Sequence, residues 1–147
     1  MLRRSVGTLF ITACGLMTPS LSSADGDPGF AALMGTLQVY LHKLDLSVQH
    51  DNAELAGFYV HELEEAVETI GTEIDSYDGY PVGQLTTGTM IAPIEALEAA
   101  MASGQGTDQA MNGLVNACNA CHAATDHGFI EITRAHSNPF NQSFESE

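Results

Sequence analysis

Four stretches of this chain repeat apolar residues at intervals of three and four, and that rhythm limits its fold more than any other feature. The first row is Phe30, Leu33, Met34, Leu37, Leu41, Leu44 and Val48. A helix of 3.6 residues per turn brings such positions onto one face. The second row is Leu55, Tyr59, Leu63, Ala66, Val67, Ile70 and Ile74, with Glu54, Glu62, Glu64, Glu65 and Glu68 mostly on other faces. A third row holds Ile94, Leu97 and Met101, and a fourth holds Met111, Leu114, Val115, Cys118, Cys121, His122 and Thr125. Four apolar faces on short connections are buried most simply against one another. The expected fold is all-α, an up-and-down four-helix bundle followed by an irregular C-terminal tail.

The residues between the rows set the expected boundaries. Pro28 suits the first turn of the first helix. Asp51 or Asn52 can cap the second. Asp75 to Gly83 is dense in turn residues and reads as a loop, with Tyr77 and Tyr80 placed to fold back over the bundle. Proline is tolerated in a first turn but not in a helix interior, so Pro93 sets the expected start of the third helix near Thr89. That helix is expected to end at Ala102, before Ser103-Gly104-Gln105-Gly106, and Thr107-Asp108 opens the fourth. Beyond Gly128 the run Phe129-Ile130-Glu131-Ile132 leads into a polar tail carrying Phe140 and Phe144. Two outcomes stand open for this tail: it wraps the bundle, or it is loosely ordered.

The fourth helix carries the chemistry. Cys118-Asn119-Ala120-Cys121-His122 reads C-x-x-C-H, the attachment pattern of c-type haem. Two thiols three residues apart can each add to a vinyl group of one porphyrin, and the next histidine supplies the proximal iron ligand. Positions i, i+3 and i+4 put Cys118, Cys121 and His122 on one side of a helix, which is also its apolar side. The group would therefore enter the bundle rather than hang from its surface. Core packing accounts for the Met and Leu of this face but not for two cysteines and a histidine. A zinc ribbon would need a second ligand pair, and a redox dithiol normally accompanies a βαβ pattern that this chain lacks. One covalent haem c is the expected cofactor, with Cys118 and Cys121 as thioether positions and His122 as metal ligand.

The opposite side of the iron is open. In an up-and-down bundle the end of the fourth helix lies beside the start of the first, at the level of Met34, Leu37 and Tyr40. The Met34 thioether can bind iron or simply fill space. Leu37 could instead block the position. Tyr40 could donate to a bound ligand or pack at the bundle edge. His61 falls opposite the Leu55–Leu63 row, so phase directs it to solvent, and His42 is likewise off the core face. His50, His127 and His136 lie in turns or the tail. His127, five residues past His122, is within reach of a propionate or the proximal surroundings.

The order of four amphipathic helices with C-x-x-C-H near the end of the last resembles the cytochrome c-prime group. The resemblance covers most of the chain after the leader, and its one specific motif is Cys118, Cys121 and His122. It implies a four-helix bundle holding a single haem, and either electron transfer or binding of nitric oxide or carbon monoxide at the iron. Pairing into a homodimer through the first two helices is compatible with such bundles. Asn119-Ala120 and Ala123-Ala124 lack the basic residues common in that group, and the tail is longer. The ordinary cytochrome c fold usually has its motif near the domain start and a methionine ligand downstream, and no methionine follows His122.

The N-terminus reads as an export signal. Met1-Leu2-Arg3-Arg4 is basic, Val6 to Met17 is apolar, and Ser22-Ser23-Ala24 offers a cleavage site. Cleavage is expected after Ala24, leaving 25–147 as one domain and placing it in the periplasm. Cys14, within Ile11-Thr12-Ala13-Cys14-Gly15, is the alternative site of a lipid anchor. The apolar run is too short to span a bilayer.

The chain carries 19 acidic residues and only four basic ones. Arg3 and Arg4 leave with the signal, so the mature charge is about −17. Such a chain repels nucleic acid and anionic membrane surfaces. It suits a basic redox protein partner or a high-salt setting, and the charge also serves solubility alone. No nucleophile–base spacing, glycine-rich phosphate loop or paired-carboxylate site stands out, so no enzyme chemistry is expected.

Overall fold

The computed structural model describes residues 28–146. The export signal, its cleavage after Ala24 and the alternative at Cys14 lie outside the described residues. Four helices follow in chain order: α1 (Pro28–Gln49), α2 (Ala53–Glu73), α3 (Val82–Ser103) and α4 (Thr107–Ala124). Among the described residues there is no strand, and Tyr77 and Tyr80 form an isolated antiparallel bridge. Each helix packs on the next, whereas α1 and α4 scarcely touch. The architecture is all-helical and compatible with a bundle.

The core is built from the rows that the periodicity marks. Leu44, Leu63, Val67, Ile70, Ile94, Leu97, Met111 and Leu114 are buried almost completely. Each such side chain contributes about 1.5–3 kcal/mol relative to exposure. Asn52 is the cap of α2, its Oδ1 accepting from the Leu55 N–H at 3.1 Å.

The third helix differs from expectation. It starts at Val82 rather than near Thr89, and Pro93 lies inside it. Val82, Thr86, Met90, Ile94 and Leu97 are all buried on one face of α3. Burial of that row outweighs the lost bond, since proline has no N–H for the Thr89 carbonyl. Gly83 also reads as a loop residue for a reason that is tertiary. A Cβ there would collide with the carbonyl oxygen of Ile74, so only glycine lets α3 leave so close to the end of α2.

Residues after Ala124 form no further helix and lie against the bundle. Asp45 of α1 is 2% exposed and accepts from Arg134 Nε at 2.7 Å and from the Ala135 N–H at 2.6 Å. The same guanidinium donates to Asn112 Oδ1 at 2.8 Å and to Asp108 Oδ1 at 3.2 Å, both on α4. Arg134 thus joins the two helices that scarcely touch. Further along, Gln49 donates to the Ala135 carbonyl, Tyr59 donates to Gln142 Oε1 at 2.7 Å, and Asn52 Nδ2 donates to the carbonyls of Phe144 and Glu145. Phe144 is itself buried in the core. Lys43 places its ammonium 5.3 Å from the Tyr59 ring centre and 5.0 Å from that of Phe140. Both basic side chains of the described residues are therefore engaged within the fold.

Candidate functional site

Where α1 and α4 stand apart, a cavity of about 330 Å³ opens, within the size range of small-molecule sites. Met34, Leu37 and Leu41 line it from α1, Leu63 from α2, and Tyr77 from the loop. Val82, Thr86, Thr89 and Met90 line it from α3, and Cys118, Cys121 and His122 from α4. The tail closes it with Thr125, His127, Ile130 and Ile132. The buried row Met111, Leu114 and Val115 sets the rotation of α4, and the same phase carries the three motif residues into the cavity.

Cys118 and Cys121 are free thiols. The Cys118 sulfur lies 3.8 Å from the Met90 sulfur. Burial pushes the Cys118 thiol up to about 11. Burial raises Cys121 as well, partly offset by its hydrogen bond with Thr89. Redox dithiols work from a lowered pKa, the opposite of the direction that burial imposes here. Both thiols line the cavity wall beside Met90 and Thr89.

Because the folded Cys118 thiol is raised, its contribution to stability is complete below the ordinary thiol range and is lost as pH climbs toward 11. A chain made without haem maturation should lose about 2–3 kcal/mol from this group between pH 9 and 11. Urea titrations at the two pH values should show that loss, and Cys118→Ser should remove it.

His122 is held in one tautomer. Its Nδ1 lies 2.7 Å from the Ile130 carbonyl oxygen, and a carbonyl can only accept, so Nδ1 carries the proton. Nε2 is left with its lone pair free for a metal. The tail that offers this carbonyl is held two residues further on by Asn119, which lies between the two cysteines. Asn119 Nδ2 donates to the Ile132 carbonyl and Asn119 Oδ1 accepts from the Ile132 N–H, both at 2.8 Å. The His127 N–H donates to the His122 carbonyl at 2.7 Å, closing the turn that returns the tail to α4.

The other expected positions separate clearly. Met34 and Leu37 reach the cavity wall, and Tyr40 does not. Tyr40 lies against Tyr59 with ring centres 6.4 Å apart, and its phenol is raised chiefly by a hydrogen bond with Glu62. His61 is exposed and 3.4 Å from Glu65, one turn along α2. His42 pairs with the Ser137 carbonyl and His50 with Glu145. His127 lines the cavity, its Nδ1 donating to the Thr125 carbonyl at 2.6 Å, with Nε2 4.0 Å from Asp78 Oδ2. Tyr77 folds back onto Phe30, ring centres 4.8 Å apart.

Four residues of the site escape sequence reasoning. The late start expected for α3 hides Thr86 and leaves Met90 outside the Ile94, Leu97 and Met101 row, although their spacing of four within the Val82–Leu97 row is the signal that could have found both. Asn119 pairs with Ile132 and Ile130 with His122, contacts between helix and tail that carry no local signature.

Among the described residues no three His, Cys, Asp or Glu side chains converge to hold a bare metal ion. A porphyrin brings four ligands of its own, so it asks less of the protein: two thiols, one imidazole and an apolar slot. The residues present fit that demand. Thr86 adds a further point, being 3% exposed with a hydroxyl that has no partner among the described residues. A buried hydroxyl left unpaired costs about 1–3 kcal/mol, which a polar group in the cavity can recover.

Fold and site together define an all-helical protein with an internal apolar cavity bearing two thiols and one oriented imidazole. Comparison with protein-family models, with curated proteins and with solved structures found no match.

Proposed function

We propose that the protein is a periplasmic mono-haem c-type cytochrome that carries electrons. One observation supports this above all: Cys118, Cys121 and His122 face one apolar cavity, with His122 Nδ1 tied to the Ile130 carbonyl so that Nε2 is free. In this reading Cys118 and Cys121 hold the porphyrin covalently and His122 binds its iron. Bound haem supplies reversible one-electron chemistry at iron. Asn119 and Ile130 keep the imidazole oriented, which limits reorganisation when the charge changes. The apolar wall excludes water, and Met34 is the candidate for the sixth position. The acidic surface favours the oxidised, more positive state and so lowers the potential. It also favours a basic redox partner. No helix among the described residues is long and apolar enough to cross a membrane. No catalytic residues are assigned.

A second reading has its own support. Leu37 is 8% exposed and shares the cavity wall with Met34, so bound haem would meet there a side chain that cannot ligate iron. The protein would then bind nitric oxide or carbon monoxide, as its resemblance to the cytochrome c-prime group suggests. A homodimer is compatible with either role.

Oxidised and reduced absorption spectra of protein from a haem-maturing host, together with its mass, test both readings. The expected result is a Soret band and a mass greater by one haem. A low-spin spectrum indifferent to carbon monoxide supports electron transfer, and a high-spin spectrum that shifts with the gas supports the second reading. A chain with no Soret band and the mass of its amino acids alone refutes both.

A further inference from the structure

Four large apolar side chains are exposed among the described residues, and two of them are neighbours at the rim of the cavity: Phe129, 81% exposed, and Ile130, 44% exposed. Ile130 also lines the cavity, and its carbonyl takes the proton-bearing nitrogen of His122. The turn that presents them is closed by the Ile130 N–H donating to the His127 carbonyl at 2.8 Å. The Phe129 ring centre lies 5.7 Å from that of His127, so the ring rests on the turn's edge rather than in the core. A phenylalanine held this far out contributes little to folding, and an exposed apolar pair rimmed by charge is the usual form of a docking site.

The rim has one sign. Asp126 and Glu131 flank the pair in sequence and are exposed, and exposed Asp78 approaches His127 from the preceding loop. Lys43 and Arg134, the basic residues of the described chain, are held elsewhere by Tyr59 and Phe140 and by Asp45 and Asp108. Among the described residues neither lysine nor arginine is left to offset the rim.

Building on the electron-transfer reading, we infer that the Phe129–Ile130 tip is the docking surface for a redox protein with an apolar centre and a basic border. Opposite charge draws the two together, and the apolar pair then sets their register beside the cavity. One electron crosses: one partner is oxidised as the other is reduced, with no bond made or broken and no proton moved. Anionic lipid is the poorer occupant, because the carboxylates beside the tip repel it.

The test uses the haem-loaded protein, its absorption spectrum read first. The probes are lysine-rich mitochondrial cytochrome c and hexaammineruthenium, a small cation that needs no docking surface. Phe129→Ser should slow exchange with the cytochrome by about tenfold, the size expected of an aromatic anchor, and leave the ruthenium rate unchanged. Glu131→Gln should flatten the salt dependence of the cytochrome rate. If Phe129→Ser leaves the cytochrome rate intact, or slows both reagents alike, the docking assignment is wrong while the electron-transfer reading stands. Binding to phosphatidylcholine vesicles that Phe129→Ser abolishes would assign the tip to lipid and overturn it. Absence of a Soret band in the starting protein would overturn the function itself.

Discussion

Alanine at both Cys118 and Cys121 should yield an exported chain from which acid–acetone extraction removes all haem. Both thiols line the same cavity, and no other cysteine of the described residues is available to replace them. His122 would survive in the double variant with its Nδ1 bond to Ile130, so some haem can still bind through iron alone. Covalent and coordinate attachment are thereby separated. The single variant Cys121→Ala should keep one thioether, through Cys118, and resist extraction, because acid–acetone does not break a carbon–sulfur bond. A pyridine haemochrome assay before and after extraction measures each case. Retention of haem by the double variant after extraction would show that the two sulfurs are not its anchors.

Arg134→Ala is expected to lower stability by about 3 kcal/mol, the lower end of the range for removing one partner of a buried ion pair. The low end applies because the Arg134 side chain is 22% exposed, so water screens part of the interaction. Asp45, 2% exposed, would keep only the Ala135 N–H as a partner. The double variant Asp45→Asn with Arg134→Met removes both charges and should recover much of the loss, since the desolvation cost falls with them. Urea titration of the haem-loaded proteins gives these values. A loss below about 1 kcal/mol in Arg134→Ala would place the pair among the weak surface bridges. The tail from Ala135 onward should also lose amide protection in hydrogen exchange, because Arg134 ties it to both α1 and α4.

Much of this architecture was legible in the residues. The rows beginning at Phe30, Leu55 and Met111 predict α1, α2 and α4 closely, because apolar periodicity reports burial directly. Asp51 and Asn52 both read as caps, a purely local property, and the structure uses Asn52. The α3 start does not read this way. Gly83, Gly88 and Pro93 are poor helix residues, and local propensity gives way to the burial of Val82, Thr86 and Met90. Thr86 falls before the expected start and so does not read as part of the site.

The chain alone determines that two thiols and an imidazole share one side of a helix, since a spacing of three and four has the same geometric meaning in any helix. It also determines the acidic surface, which needs only counting. Which nitrogen of His122 is free, that Tyr40 stays away from the cavity while His127 reaches it, and that Arg134 bridges α1 to α4 are tertiary outcomes. They depend on residues separated by loops or by the whole length of the bundle, such as Asn119 with Ile132 and Asp45 with Arg134. No local pattern encodes those pairings, because they form only when burial has brought the elements together.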